Sequence, residues 1–181
     1  MMEISEGGKK EALALARWVL EAEICGSKAP KPQPKDALLN EKRGTFVTLR
    51  KEGELRGCVG RIEPLFILQD EIVDLAVGAA TRDPRFPAIS SVEVARLTVE
   101  ISILTPPVVV KTASGIRIGE DGLIIEKDLR RGLLLPQVAT EEGWDVESFL
   151  DHACLKAGLP TDSWKSPDTA IYRFSAAVFS E

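Results

Sequence analysis

The chain has 181 residues, of which 44% are apolar and 28% charged. That is enough to bury a core without disulfide or metal staples, and it is the composition of an ordered globular protein. Its 23 basic against 28 acidic side chains give a net charge of −5, which argues against a nucleic-acid or anionic-membrane surface.

No apolar run approaches the roughly 18 residues of a membrane span. The opening residues lack the basic-then-apolar form of a signal peptide, so a cytoplasmic protein is expected. Three cysteines (Cys25, Cys58 and Cys154) without a CxxC pair, and a single histidine, His152, leave no disulfide framework or metal site to expect.

Residues 9–24 read as a helix with Leu13, Ala16, Leu20 and Ile24 on one face and Gly26 at its end. Three prolines within residues 28–36 mark an extended connector. Residues 44–50 and 55–61 read as a hairpin around Lys51-Glu52-Gly53-Glu54. The second strand holds Gly57 and Gly60 around Cys58-Val59, a pattern that predicts a bulge or a close backbone approach.

Pro64 is expected to open a second helix over 65–80. The prolines of the segment 81–89 then force a loop, and Ser90 with Glu93 forms a capping box. Residues 98–104 alternate strictly, with Val99, Ile101 and Ile103 on one face and Thr98, Glu100 and Ser102 on the wet one. Short strands are expected within 115–126 and at 131–136. Residues 145–157 read as a helix capped by Asp145 with Trp144 stapled to Phe149, and 170–179 as a final strand. Hairpins and helices without βαβ repeats predict an α+β fold with mainly antiparallel sheet and flanking helices.

The hexapeptide Leu55-Arg56-Gly57-Cys58-Val59-Gly60 resembles the signature of the AMMECR family, with Val59 where isoleucine is commoner. The likeness extends to FVTL at 46–49, DPRFP at 83–87, the EISIL strand at 100–104, GIRI at 115–118, LPQVA at 135–139, GWD at 143–145 and KAGL at 156–159. All stand in family order, so it covers the chain from about residue 9 onward. The resemblance implies a single domain over 1–181 with two unequal lobes, the larger holding both termini and the smaller built from the middle of the chain. The family has no established reaction. Its genes occur beside, or fused to, those of Memo-like and radical S-adenosylmethionine proteins, which makes such a protein the expected partner.

Cys58, between glycines, reads either as a nucleophile or as a small packing residue. In the first case the glycines would let an oxyanion reach the main-chain N–H groups of 57–59, and Arg56 or Arg61 could favour the thiolate if turned toward it. On a regular strand Arg56 shares the face of Cys58, and Arg61 does not.

In the 83–87 loop Arg85 could clamp a carboxylate or phosphate, with Asp83 orienting it or acting as a base. The alternative is a structural loop in which Asp83 caps backbone and Phe86 plugs the core. Glu100 could face a cleft, Gln137 could donate an amide from a strand end, and His152 is a weak candidate for a base. Cys25 and Cys154 read as filler.

The expectation is therefore an enzyme or enzyme subunit with an inter-lobe cleft lined by Arg56, Cys58, Asp83 and Arg85, with Gly57 and Gly60 shaping its backbone and no cofactor encoded. The alternative is a non-catalytic adaptor that docks a Memo-like or radical S-adenosylmethionine protein.

Overall fold

A computed structural model describes residues 4–181. The chain forms an α+β fold that separates into two compact units. One takes residues 4–104 together with 177–181, and the other takes 105–176.

The first unit begins with helix α1 (Glu6–Cys25), capped by Ser5, whose hydroxyl accepts Gly8 N–H at 2.9 Å. Gly26 ends it in the left-handed conformation, φ 71°, where a side chain would be strained. The helix buries Ala12, Leu15, Ala16, Val19 and Leu20. The inward face is thus turned from the expected one, with Leu13 only partly covered and Ile24 outside the buried set.

Strands β1 (Thr45–Lys51) and β2 (Glu54–Arg61) follow, joined by the two-residue turn Glu52-Gly53. Both turn residues have positive φ, the hairpin geometry that matches strand twist. The register slips between Leu49 and Arg50, leaving Arg56 as the extra residue of a β-bulge.

The next helix, α2 (Leu68–Thr81), starts three residues later than the periodicity predicts. The carboxylate of Glu71 accepts the N–H groups of Leu65 and Phe66. It holds that segment outside the helix, in place of a side-chain N-cap. The one-turn helix α3 (Ser91–Val94) carries the expected Ser90–Glu93 capping box, and β3 (Leu97–Leu104) follows it.

With β8 (Ala176–Ser180) these strands form a sheet of order β2-β1-β3-β8. Val47, Leu49, Val99, Ile101 and Ile103 are fully buried on one face, the face on which α1 and α2 pack. The opposite face carries three cross-strand rows: Cys58–Thr48–Glu100, Gly60–Phe46–Ser102, and Arg50 opposite Thr98.

The second unit contains β4 (Val108–Val109), β5 (Gly122–Lys127), β6 (Arg130–Leu134) and β7 (Ala170–Phe174), ordered β4-β7-β5-β6. Its helices are α4 (Pro136–Glu141) and α5 (Val146–Lys156). Phe149, Leu150, Ala153 and Cys154 of α5 join Leu123, Ile125 and Ile171 in its core.

Several expectations are corrected here. Residues 116–121 are a turn, not a strand, because buried Asp121 accepts Arg117 N–H and folds the segment back. Pro136 starts α4 at its first position, so Gln137 is an exposed helical residue, not one at a strand end. Trp144 packs against the core cluster that contains Phe149, and in addition stacks on His152, ring centroids 3.8 Å apart. Residues 170–180 are two strands of different sheets, broken at Ser175, whose main chain bonds to Thr105. Cys25 is exposed and fills no core, whereas Cys154 is buried in the core as a packing residue.

All described pairings β1–β2, β1–β3, β4–β7, β5–β6 and β5–β7 are antiparallel. Among the described residues no helix is long and apolar enough to cross a membrane.

Candidate functional site

Strand β2 lies at the edge of its sheet. An edge strand leaves every second pair of main-chain groups without a strand partner. At Cys58 those groups are taken by the 83–87 loop. Asp83 Oδ2 accepts Cys58 N–H at 2.8 Å, and Arg85 Nη2 approaches Cys58 O at 3.5 Å. The ion pair therefore stands where a neighbouring strand would, one acceptor and one donor against one residue. The motifs LRGCVG and DPRFP meet at this point.

Asp83 is only 5% exposed. It accepts Arg85 Nε and N at 3.0 and 3.1 Å through Oδ1, and Arg85 Nη2 at 2.7 Å through Oδ2. The Arg85 fork, then the N–H groups of Cys58 and Arg85, hold its carboxyl well below the usual carboxylate range against the opposing effect of burial. Arg85 is held the other way, its guanidinium kept charged by the same carboxylate, with the nearby Cys58 thiol a smaller contributor. More than half of its side chain, 56%, faces solvent. Among the described residues its Nη1 has no hydrogen-bond partner, and its guanidinium carbon lies 5.5 Å from the Phe86 ring centre. Phe86 is partly exposed beside Arg85 and does not plug a core.

The glycines around Cys58 serve packing. A Cβ on Gly57 would stand 2.1 Å from Ala79 O, so Gly57 lets β2 close on α2. A Cβ on Gly60 would meet the Phe46 ring at the same distance. Because Asp83 occupies Cys58 N–H, that group is not open to an oxyanion.

Neither neighbouring arginine turns to the thiol. Arg56 bonds Pro87 O at 2.8 Å and straddles Glu93 at 3.2 and 3.3 Å, tying the end of the loop to α3. Glu93 also receives Ser90 N–H, the Ser90 hydroxyl and Lys51. The Ser90 N–H first, then Arg56, hold its carboxyl far below its ordinary range. Arg61 points to the helix side and pairs with Glu71 and Asp74 of α2.

Cys58 as a residue is partly exposed. Across the hairpin the Thr48 hydroxyl donates to Sγ at 3.3 Å. Sequence reasoning missed Thr48. An unbulged hairpin on the Glu52-Gly53 turn would set Thr48 opposite Gly57, and only the bulge at Arg56 brings it opposite Cys58. Glu100 continues the row beyond Thr48. His152 bonds Ser148 O and stacks on Trp144 within the 105–176 unit. Cys58, Arg56, Asp83 and Arg85 all belong to the other unit. Among the described residues no cluster of His, Cys, Asp or Glu side chains is placed to hold a metal ion.

The family model AMMECR1 matches residues 13–179. A protein of Methanothermobacter thermautotrophicus is 45% identical over 98% of this chain and 96% of its own. One of Methanocaldococcus jannaschii is 47% identical over 94% of this chain and 88% of its own. The crystal structure of an uncharacterized protein from Pyrococcus horikoshii shares the fold with a TM-score of 0.82 and 40% identity, covering 98% of this chain and 93% of that one.

Proposed function

The chain belongs to the AMMECR1 family, and on that premise we propose that the family motif at 55–60 builds a thiol-dependent site for a small anionic substrate. Cys58 is the nucleophile and Arg85 the anion clamp. The carrying observation is that one buried carboxylate, Asp83, fixes both groups: it holds Cys58 through its N–H and Arg85 through its fork.

The chemistry suited to this pair is group transfer. The Cys58 sulfur attacks an electrophilic carbon, a C–S bond forms, and the leaving group departs with the electrons of the broken bond. The thiol proton goes to solvent or to the leaving group. Arg85 Nη1 binds the substrate's carboxylate or phosphate beside the reacting carbon, which orients it.

The test compares alkylation of Cys58 by iodoacetate and by the neutral iodoacetamide. The site reading expects Arg85→Gln to lower the iodoacetate-to-iodoacetamide rate ratio about fivefold. An unchanged ratio would remove Arg85 from it.

A second reading, a docking surface for a Memo-like or radical S-adenosylmethionine protein, draws on the exposure of the loop itself, Arg82 and Arg85 above all. It expects partner binding to fall with Arg85→Ala and to survive Cys58→Ser.

A further inference from the structure

Native sheet edges are blunted by a bulge, a charge, a proline or a covering loop. Up to Cys58 the edge strand β2 has two of these, the bulge at Arg56 and the Asp83–Arg85 pair. Gly60, the next residue to face outward, has none.

Its orientation follows from the register. Glu181 N–H bonds Val99 O, so Val99 turns its main-chain groups toward β8. Alternation then turns those of Glu100 and Ser102 toward β1, where they meet Thr48 and Phe46. Cys58 lies opposite Thr48 and Gly60 opposite Phe46, so both point N–H and C=O away from β1. The contacts of Asp83 and Arg85 with Cys58 are on that outer side. Among the described residues the N–H and C=O of Gly60 make no hydrogen bond.

Gly60 is partly exposed. The Phe46 ring fills the place a side chain would take, so a ligand reaches Gly60 along the sheet edge. Arg61 does not guard that edge, since its side chain is turned to Glu71 and Asp74 on the helix side.

An open N–H and C=O on one residue are what an added antiparallel strand takes, by exchanging two bonds with it. The edge closes at Cys58, about 6.8 Å along the strand, so the added strand ends there. Arg85 stands at that end. Its Nη2 lies against Cys58 O, the outward carbonyl next to Gly60 N–H, and its Nη1 is open among the described residues. A strand that ends on a cation ends in a carboxylate. An antiparallel strand runs from Gly60 toward Cys58, which brings its carboxyl end to Arg85.

We infer that the β2 edge at Gly60 binds the carboxyl end of a polypeptide as an added antiparallel strand. The residue before the last exchanges both main-chain bonds with Gly60, and the terminal carboxylate pairs with Arg85 Nη1. This rests on the Arg85 clamp of the reading above and names what the clamp holds. It involves no covalent step.

The experiment titrates the full 15N-labelled chain and follows the Gly60 amide and the Arg85 Nε–H by NMR. The probes are N-acetyl-trialanine, its C-terminal amide, the same acid N-methylated at its middle residue, and acetate. The free acid should shift both signals and slow exchange of the Gly60 amide. The C-terminal amide should bind about tenfold more weakly for want of the charge, and the N-methylated acid about fivefold for want of the donor to Gly60 O. Acetate should shift Arg85 and leave Gly60 unmoved. In Arg85→Gln, whose spectrum reports its fold, acid and amide should bind alike.

If the free acid shifts Arg85 but not Gly60, or if N-methylation costs nothing, the inference is overturned and the Arg85 clamp stands. If neither acetate nor the free acid shifts Arg85, the clamp itself falls and the inference falls with it.

Discussion

The carboxylate of Asp83 accepts the main-chain N–H of Cys58 at 2.8 Å across 25 residues of sequence. That bond caps the edge of β2 at the centre of the 55–60 motif and fixes the 83–87 loop against it. It makes the two motifs one piece of structure, with Arg85 carried on the same carboxylate.

Replacing Asp83 by Asn leaves the Cys58 N–H a weaker acceptor and Arg85 without its counter-charge. Breaking a shielded, multiply bonded carboxylate should cost about 3 kcal/mol, the partial exposure of Arg85 keeping it from costing more. Chemical denaturation should show a lower midpoint with an unchanged slope. Asp83→Asn and Arg85→Gln should be strongly non-additive, since each removes the same pair.

Asp83 and Glu93 are both held below their ordinary range. A depressed carboxylate contributes stability that is fully present above its unfolded value of about 4 and is lost as pH falls through the folded value. The unsubstituted protein should therefore lose stability steadily below about pH 5. The gap between it and Asp83→Asn should be constant above that pH and shrink below it. Denaturation midpoints across pH read the gap directly. A gap that widens in acid would contradict the sign.

Gly57→Ala should be far more damaging than Gly60→Ala. The new methyl at 57 meets a main-chain carbonyl of α2, which cannot move without shifting the helix, whereas the one at 60 meets the Phe46 side chain. Overpacking against backbone should cost about 3 kcal/mol, against about 1 kcal/mol where a ring can yield. Melting temperatures of the two variants test the order.

Glu71→Ala should lower stability by about 3 kcal/mol, because it strips the Leu65 and Phe66 N–H groups and Arg61 of a buried acceptor. Hydrogen exchange should quicken first at residues 65–72, the entry to α2.

The hairpin, the capping box at Ser90, the alternation of β3 and the glycine stop of α1 were legible in the sequence because each follows from local chemistry. The start of α2 was not. Pro64 and the apolar spacing favour an earlier helix, and the reach of Glu71 back to Leu65 and Phe66, with the Leu68 N–H bonded to Glu41 O, overrides them. The proximity of Cys58 and Arg85 rests on a contact between segments 25 residues apart, which periodicity does not carry. Thr48 was hidden by one bulge residue. Arg56 shows a further limit: it belongs to the motif, but its guanidinium is committed to Glu93 and Pro87 O. The break at Ser175 was equally hidden, since residues 170–179 read as one apolar strand.

The most direct test of the central claim is the order in which the three cysteines of the folded protein react with iodoacetamide, followed by peptide mass. Cys154 is buried and Cys25 exposed, so they bracket the scale. A reactive thiol predicts that Cys58, though less exposed than Cys25, is alkylated at least as fast and long before Cys154. Alkylation of Cys58 only alongside Cys154, on unfolding, would contradict a reactive thiol and make the 55–60 motif a packing element.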